Sequence, residues 1–277
     1  MYPHQPHQDI SDAQFDQFVQ DGFIILPRFI RGEELAELQK SQRRVLRTWE
    51  QVKDNPPQGL AEFKGYPYGE PLMAGLYLQP DLLKLAKRFL RTEKIHVNPG
   101  HMFARYPGFV STDPGHIDNG NNSLLPQSEN REYGQITVWI HLEDVATGQA
   151  PLHLVKHGDK KDNSKATPLV CPEGTITLFT NYTWHFASSF TATQGQRFAW
   201  GYMLGRADHS FEGLMHLTHL GQVPAFSQAV GRMTPEERTL FRFPPVNDRY
   251  YTRNTLALLE KQYPGWNASG AYKPSDA

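Results

Sequence analysis

Cysteine is almost absent from this sequence of 277 residues, in which Cys171 stands alone. A single cysteine excludes an intrachain disulfide, and with it the class of small secreted proteins that disulfides stabilise. Long apolar runs are also missing, because no stretch approaches the roughly 20 residues needed to cross a bilayer. Residues 1–8 are polar and lack the apolar segment of a signal peptide. We therefore expect a cytoplasmic protein.

The sequence has no excess of either charge. Its 28 Lys and Arg residues are balanced by 29 Asp and Glu residues, for a formal net charge of −1. This balance argues against a nucleic-acid surface or a polybasic membrane patch. One basic cluster, Arg43, Arg44 and Arg47, falls in the second half of a predicted amphipathic helix over 33–51, where the helix dipole favours cations. We expect a small-molecule substrate, with neither nucleic acid nor a membrane as partner.

Hydrophobic periodicity changes along the chain. Helical patterns dominate about 11–93, with a loop rich in Pro and Gly at 54–75, and they return at about 206–265. Between them, about 94–205 alternates short β-type runs with turn residues, which is typical of a barrel or sandwich. The pattern predicts one domain over 1–277, mainly β with flanking α-helices. The irregular stretches 119–134 and 157–168 are expected to be lids or walls of a site.

A possible metal site begins at His116 and Asp118, which are two residues apart. On a strand both side chains leave the same face, and an imidazole with a carboxylate supplies two thirds of the facial triad that holds Fe(II). Spacing alone does not single out this pair. His157 with Asp159 has the same spacing, and His141 with Glu143 is a carboxylate variant.

A third ligand and an anion-binding group come later in the chain. His185 follows a strand at 175–179 and an aromatic turn, although a structural histidine at a strand start fits the same pattern. Arg197 shares one strand face with Ala199 and Gly201. A guanidinium on a face of small groups is costly inside a barrel unless an anion meets it. That anion is either a co-substrate carboxylate or an internal Asp or Glu.

Several of these segments together resemble the phytanoyl-CoA dioxygenase family of Fe(II)- and 2-oxoglutarate-dependent oxygenases. Four places carry the resemblance: the opening helix and strand at 18–27, the His-x-Asp pair after Tyr106-Pro107-Gly108, the central strand and turn at 138–152, and the closing strands at 172–185 with Arg197 downstream. The resemblance implies a double-stranded β-helix, also called a jelly roll or cupin-like core. It also places the two rival pairs in a loop and in the central strand, away from the metal.

The resemblance further implies the cofactors and their ligands. Fe(II) is expected on His116, Asp118 and His185, which form the catalytic centre, and 2-oxoglutarate on Arg197. Together with O2, these cofactors imply hydroxylation of an unactivated C–H bond, with release of succinate and CO2. Related halogenases have a small residue at the carboxylate position, so Asp118 makes halogenation an unexpected outcome.

This chain departs from the family pattern at two positions. Gly115 stands where the family often has Trp, which would widen the mouth of the pocket. Ala187 stands where a hydroxyl residue commonly helps to hold the co-substrate, and Ser188 is the candidate replacement. The expected substrate is a small polar metabolite, either a natural-product or toxin intermediate or an amino-acid-like compound. Candidates for the pocket lining are Tyr106, Asn121, Tyr133, Trp139 and Trp200.

Two other classes of function fit the same residues. One is a cupin-like metal enzyme that does not use 2-oxoglutarate, and the other is a non-catalytic ligand-binding barrel. Dependence of turnover on 2-oxoglutarate distinguishes the first from the proposed oxygenase. His209, His216 and His219 are expected to be surface histidines, because no cysteine or paired carboxylate completes a zinc pattern near them.

Overall fold

The computed structural model describes residues 9–57, 61–65, 70, 72–73, 76–118, 125–208, 224–240 and 243–275. Asn121 and the histidines at 209, 216 and 219 lie outside the described residues. None of the described helices is long and apolar enough to span a membrane.

The helices with described bounds number four before most of the strands and three after them. They are α1 (Asp12–Asp21), α2 (Gly32–Val45), α3 (Trp49–Val52), α4 (Pro80–Leu90), α5 (Pro224–Arg232), α6 (Pro235–Leu240) and α7 (Arg253–Gln262). The predicted start of α1 is confirmed, since the Ser11 hydroxyl accepts from the Gln14 N–H and the Gln14 side chain returns to Ser11. Gly22 ends the helix at φ 83°.

The single helix predicted over 33–51 is wrong. Helix α2 ends at Val45, and Leu46 is extended at φ −110° and ψ 132°. A second capping box, formed by Thr48 and Gln51, then starts α3. The prediction followed the apolar spacing through Trp49 and did not recognise Thr48 as a new start.

Nine strands in the described part of the chain form two sheets. They are β1 (Phe23–Leu26), β2 (Ala61–Gly65), β3 (Ile95–Arg105), β4 (Ile136–His141), β5 (Leu152–Val155), β6 (Thr167–Pro168), β7 (Thr175–Thr180), β8 (Trp184–Ala187) and β9 (Arg197–Arg206). The larger sheet has the order β1-β7-β4-β9-β3-β2, and the smaller has the order β6-β5-β8. The pairings within both sheets are antiparallel. Strand β2 lies in the segment predicted as loop, where it forms an edge next to β3.

The larger sheet has an outer face under the helices and an inner face toward the smaller sheet. On β9, Phe198, Trp200 and Tyr202 belong to the main core with residues of α1, α2 and α4. The alternate residues of β9 therefore point inward. On the inner side, Phe23 and Phe179 pack with Leu152 and Leu154 of the smaller sheet. This arrangement confirms the predicted double-stranded β-helix.

The C-terminal helices form a second apolar cluster. It contains Tyr250, Tyr263 and Trp266, and it also includes Leu125 and Tyr133 from the segment before β4. The buried guanidinium of Arg238 donates to the carbonyls of Val230 (3.0 Å), Gly231 (3.1 Å) and Trp266 (2.6 Å). Three satisfied hydrogen bonds compensate the cost of burying this charge.

Candidate metal centre and co-substrate site

Backbone pairing brings His116 and His185 together. His116 forms an isolated antiparallel bridge with His185, in which each N–H donates to the other carbonyl at 2.9 Å. The two imidazole centroids are consequently 4.3 Å apart. The short strand predicted at His116 is this bridge, which adds one rung to the smaller sheet next to β8.

Asp118 is placed against the same two residues by a different contact. Its N–H donates to the carbonyl of Asn181 at 2.9 Å, in the turn between β7 and β8. Its Oδ1 lies 3.9 Å from Nε2 of His185. One ligand atom from each of His116, Asp118 and His185 lies within 4.8 Å of the others. A cluster of two imidazoles and one carboxylate at this separation fits a divalent metal ion with open positions.

Hydrogen bonds to the far ring nitrogens orient both imidazoles. Nδ1 of His185 donates to the carbonyl of Thr183 at 2.8 Å, which leaves Nε2 as the free acceptor. Nδ1 of His116 lies 3.2 Å from the Asp113 carboxylate. This is the arrangement in which a carboxylate or carbonyl fixes the tautomer of a metal-binding histidine.

Asp113 is itself held in place by backbone donors. Its Oδ1 accepts from the Gly115 N–H (2.9 Å) and its Oδ2 from the Ala187 N–H (3.1 Å). Burial would raise the pKa of Asp113, but these two N–H groups and His116 together lower it. Burial also lowers the pKa of His185, with Asp118 opposing the shift only in part. His185 is therefore held in the neutral form that binds metals.

The two rival pairs lie elsewhere. His141 is buried and donates from Nδ1 to the carbonyl of Phe198 at 2.8 Å, while Glu143 binds Arg43 at 2.8 Å. His157 contacts the Thr180 hydroxyl at 3.2 Å, and Asp159 binds a lysine. Within the described ranges, His116, Asp118 and His185 are the one group of three such side chains with ligand atoms this close.

Arg197 lies on the inner face of β9 and is 3% exposed. Its Nε has no hydrogen-bond partner in the part of the chain that the structure describes, and no described carboxylate lies within ion-pair distance. Burial, together with the neighbouring Arg105, lowers the pKa of Arg197 to about 9. The internal Asp or Glu partner considered from the sequence is therefore not found among the described residues. A buried cation in this state fits an incoming carboxylate.

Two uncharged side chains, Phe103 and His141, lie near this guanidinium. Its Cζ lies 5.5 Å from the ring of Phe103. Burial lowers the pKa of His141 to about 3, with Arg197 contributing, so His141 is neutral. Its Nε2 accepts the indole N–H of Trp139 at 3.2 Å. Trp139 covers Gly201, where a Cβ would come within 2.7 Å of the indole. Trp139 is thus the predicted lining residue that faces the interior of the barrel.

The other lining candidates lie away from the metal ligands. Trp200 and Tyr106 are in the core under the helices, because they fall on the opposite parity from the inner face. The Tyr133 hydroxyl donates to Asp248 at 2.6 Å in the C-terminal cluster. The Ser188 hydroxyl donates to the carbonyl of Pro151 at 2.7 Å, so its proton is not available to a carboxylate. These contacts give the four assignments no support, and they stay predictions.

Gly115 does not widen the pocket mouth as expected. Its φ is +107°, and a Cβ there would come within 2.5 Å of the Trp184 indole, which fills the space. The Trp184 N–H donates to Oδ1 of Asn163 at 2.7 Å, and the Asn163 amide donates to the carbonyl of Pro114 at 3.1 Å. Asn163 and Asp113 were not singled out from the sequence. Only the nearness of Asp113 to His116 could have pointed to it.

An inward cluster of two histidines and one aspartate, in a double-stranded β-helix that buries an arginine with no carboxylate partner among the described residues, is typical of the class of non-haem metal oxygenases. Residues 18–199 match the family described as phytanoyl-CoA dioxygenase. The chain therefore belongs to this family, and it is an enzyme of the 2-oxoglutarate-dependent oxygenase type. No curated protein matches the sequence.

Solved structures share this fold at low sequence identity. The non-heme alpha-ketoglutarate-dependent carbocyclase SnoK from nogalamycin biosynthesis is 16% identical, with a TM-score of 0.56 over 77% of this chain and 90% of SnoK. EvdO2 from Micromonospora carbonacea var. aurantiaca, complexed with 2-oxoglutarate, is 17% identical, with a TM-score of 0.55 over 74% and 96%. HygX from Streptomyces hygroscopicus, with nickel and 2-oxoglutarate bound, is 14% identical, with a TM-score of 0.54 over 73% and 89%.

Proposed function

We propose that this protein is an Fe(II)- and 2-oxoglutarate-dependent dioxygenase that hydroxylates an unactivated C–H bond of a small polar metabolite, giving succinate and CO2. The observation that carries the proposal is the combination of an open cluster of three ligands with a buried arginine that has no described carboxylate partner. A cupin-like enzyme that does not bind 2-oxoglutarate gives no reason for a buried arginine without a described carboxylate partner.

Each residue of the site has a defined task. His116, Asp118 and His185 hold the iron, and Asp113 and the Thr183 carbonyl keep the imidazoles in the metal-binding tautomer. Arg197 binds the far carboxylate of 2-oxoglutarate through charge-assisted hydrogen bonds. When bound, iron with 2-oxoglutarate and O2 supplies the oxidising chemistry.

The walls around Arg197 serve the same reaction by excluding water. Phe103 and the Trp139 indole provide apolar surface, and His141 remains neutral beside the arginine. The low dielectric strengthens the pairing of Arg197 with a carboxylate and keeps solvent from competing for it. The Trp139 N–H already donates to His141, so it helps to fix the orientation of this wall without adding a charge.

A natural-product intermediate is the favoured substrate. SnoK, which shares the fold, comes from nogalamycin biosynthesis and is a carbocyclase. The neutral overall charge of this chain suits a small metabolite rather than a macromolecule. We place the reaction in the cytoplasm, where a free thiol such as that of Cys171 persists.

Two substitutions separate the tasks of the metal ligands from that of the arginine. His185→Ala is expected to abolish Fe(II)-dependent turnover of 2-oxoglutarate, because it removes a metal ligand. Arg197→Ala is expected to weaken 2-oxoglutarate binding by roughly 100-fold, the loss typical of a buried charge pair, with Fe(II) affinity retained. Iron and 2-oxoglutarate affinities are measured by calorimetry without O2.

His153→Ala is the matched control for these variants. His153 stacks on Phe186 at 4.8 Å on the other face of the smaller sheet, away from the metal ligands. This variant should retain both affinities. Unchanged Fe(II) and 2-oxoglutarate affinities in both His185→Ala and Arg197→Ala would falsify the assignment.

A further inference from the structure

A second cavity lies outside the barrel, between the ends of α1 and α4, the segment 127–131 and the turn after β7. Its volume is about 340 Å³. Its polar lining includes Arg91, Asn130, Arg131, His157, Thr180 and Tyr182. We call it the outer cavity. Neither the metal ligands nor Arg197 line it, so it is separate from the metal centre and the co-substrate site.

Two arginines give the outer cavity its charge. Arg91 and Arg131 line it, and neither has a carboxylate within ion-pair distance in the described part of the chain. Three ion pairs lie nearby: Arg88 binds Asp12 at 2.7 Å, Glu132 binds Arg249 at 2.8 Å and Lys156 binds Asp21 at 2.9 Å.

One acid, Glu129, also lines the outer cavity. It faces α7, where it accepts hydrogen bonds from Thr252 and from Asn254 at 3.5 Å. These contacts engage its carboxylate on the side of the C-terminal helices. The two arginines therefore leave an excess of positive charge in the cavity.

Arg131 is the better fixed of the two arginines. Its guanidinium lies 5.7 Å from the rings of both Phe15 and Phe89, which restrict its position. Its Nε is buried without a hydrogen-bond partner among the described residues. Burial lowers the pKa of Arg131, and Arg91 and Arg88 lower it further. A fixed, partly desolvated cation beside a second cation is the setting in which an anion is bound most favourably.

The opposite wall carries the Thr180 hydroxyl and the His157 imidazole, which belong to a chain of hydrogen bonds that ends at the Gly22 carbonyl. The Thr183 hydroxyl donates to the carbonyl of Gly22 at 2.7 Å and lies 3.0 Å from the Thr180 hydroxyl. The Thr180 proton therefore points to Thr183, and Nε2 of His157, at 3.2 Å, is the donor to Thr180. This wall is consequently rigid.

We propose that the outer cavity binds the oxyanion group, a phosphate or a carboxylate, of a small organic ligand. Arg131 and Arg91 pair with the oxyanion, and the amide of Asn130 lies beside them. The organic part packs against Val19 and Phe89, which supply the apolar side of the cavity. A volume of about 340 Å³ suits a small metabolite.

The turn on this wall also supports the metal site. Thr180 and Tyr182 line the outer cavity. Asn181 lies between them in the chain, and its carbonyl accepts from the Asp118 N–H. Thr183 follows Tyr182, and its carbonyl accepts from Nδ1 of His185. A ligand in the cavity thus contacts the segment that orients two of the three metal ligands, although the binding proposal does not depend on the proposed function.

The test is calorimetry on the full chain with three matched probes: phenyl phosphate, phenylacetate and the neutral benzyl alcohol. Arg131→Gln is expected to weaken binding of the preferred anion at least tenfold, and Arg91→Gln several-fold. Arg131→Lys, which retains the charge, should recover part of the loss. Arg232→Gln, at an exposed arginine of α5 that does not line the cavity, should leave binding within twofold. The comparison of the two anions shows whether phosphate or carboxylate is the natural group.

Binding at the metal site is separated by two further arms. In one arm the titration is repeated in Arg197→Gln, and in the other in His185→Ala; the affinity for the anion should not change in either variant. The proposal is overturned if neither anion binds saturably, if benzyl alcohol binds as tightly as the anions, or if Arg131→Gln binds them as tightly as wild type. Loss of anion binding in Arg197→Gln would also overturn it, because the probes would then occupy the co-substrate site.

Discussion

Two buried arginines illustrate how differently the same side chain behaves in this protein. Arg238 is 2% exposed and donates to three backbone carbonyls, whereas Arg197 is 3% exposed and its Nε has no partner among the described residues. The first charge is compensated within the fold. No described residue compensates the second, and we propose that a bound anion does so, which predicts that Arg197 costs stability in the protein without co-substrate.

Substitution by methionine should therefore have opposite effects at these two positions. Arg197→Met is expected to raise the free energy of unfolding of the co-substrate-free protein by roughly 1 to 4 kcal/mol, the range seen when buried ionic groups become apolar. Arg238→Met should lower it by roughly 3 kcal/mol, because three buried carbonyls lose their donors. Urea unfolding monitored by circular dichroism measures both. A loss of stability in Arg197→Met would contradict the account.

His141 predicts how stability depends on pH. Its folded pKa of about 3 lies below the usual value of 6.5, because the ring is buried beside Arg197. Between these values the unfolded chain binds a proton that the folded chain does not, so stability is lost as pH falls through this window. The full shift corresponds to a loss on the order of 5 kcal/mol.

The measurement is the free energy of unfolding between pH 7 and pH 4. His141→Gln, which retains an acceptor for the Trp139 N–H, should lose stability less steeply on acidification than wild type. His153→Gln, at a half-buried position, should keep most of the wild-type slope. Equal slopes in wild type and His141→Gln would show that His141 is not buried in its neutral form.

At the scale of elements, the segment from β5 to β6 contacts the residues next to two of the predicted metal ligands. Asn163 in this segment joins the Pro114 carbonyl, two residues before His116, to Trp184, one residue before His185. The sequence led us to expect a lid or a substrate-selecting wall at 157–168. The structure instead places Asn163 of this loop against the residues that flank the ligands, so we infer that it positions them.

Removing the bridge should loosen the metal site without touching a ligand. Asn163→Ala is expected to weaken Co(II) binding to the metal-free protein by roughly tenfold, the lower end of the effect of outer hydrogen-bond partners. Ser164→Ala is the control, because Ser164 bonds only to Asp162 in the same turn. Spectroscopic Co(II) titration measures both variants. Equal Co(II) affinities in the two would rule out the bracing role.

Local signals in the sequence were sufficient for some elements and insufficient for others. The capping box formed by Ser11 and Gln14 is a short-range feature, and the start of α1 that it predicts is confirmed. Strand β2 was missed because edge pairing with β3 is a long-range contact in a segment rich in Pro and Gly. The two strands predicted at 94–106 are one strand with a register shift between Asn98 and His101.

The same distinction applies at the site. His116, Asp118, His185 and Arg197 were assigned from strand parity and family resemblance, and the structure brings the three predicted metal ligands together. The aromatic candidates were chosen by residue type. Trp200 lies in the main core under the helices together with Val138 and Ile140 of the neighbouring strand β4, so Trp139, which alternates with these two residues, faces the opposite, inner side. That depends on sheet packing, which a pattern of alternating residues does not specify.

At the scale of the whole molecule, the two sheets enclose the site and the C-terminal helices support one side of it. The Tyr250 hydroxyl donates to the Pro126 carbonyl at 2.8 Å, and Arg249 binds Glu132 at 2.8 Å. These contacts tie the C-terminal helices to the segment that precedes β4. We therefore propose that the described residues form a single domain, with the metal centre between the sheets.

The measurement that tests the central claim most directly is an anaerobic titration of the protein with Fe(II) and then 2-oxoglutarate. The account predicts a metal-to-ligand charge-transfer band in wild type. His116→Ala should show no band, because the iron loses a ligand, and Arg197→Ala should need far more 2-oxoglutarate to reach it. Metal binding without any band in wild type would contradict the account and would favour a metal enzyme that does not use 2-oxoglutarate.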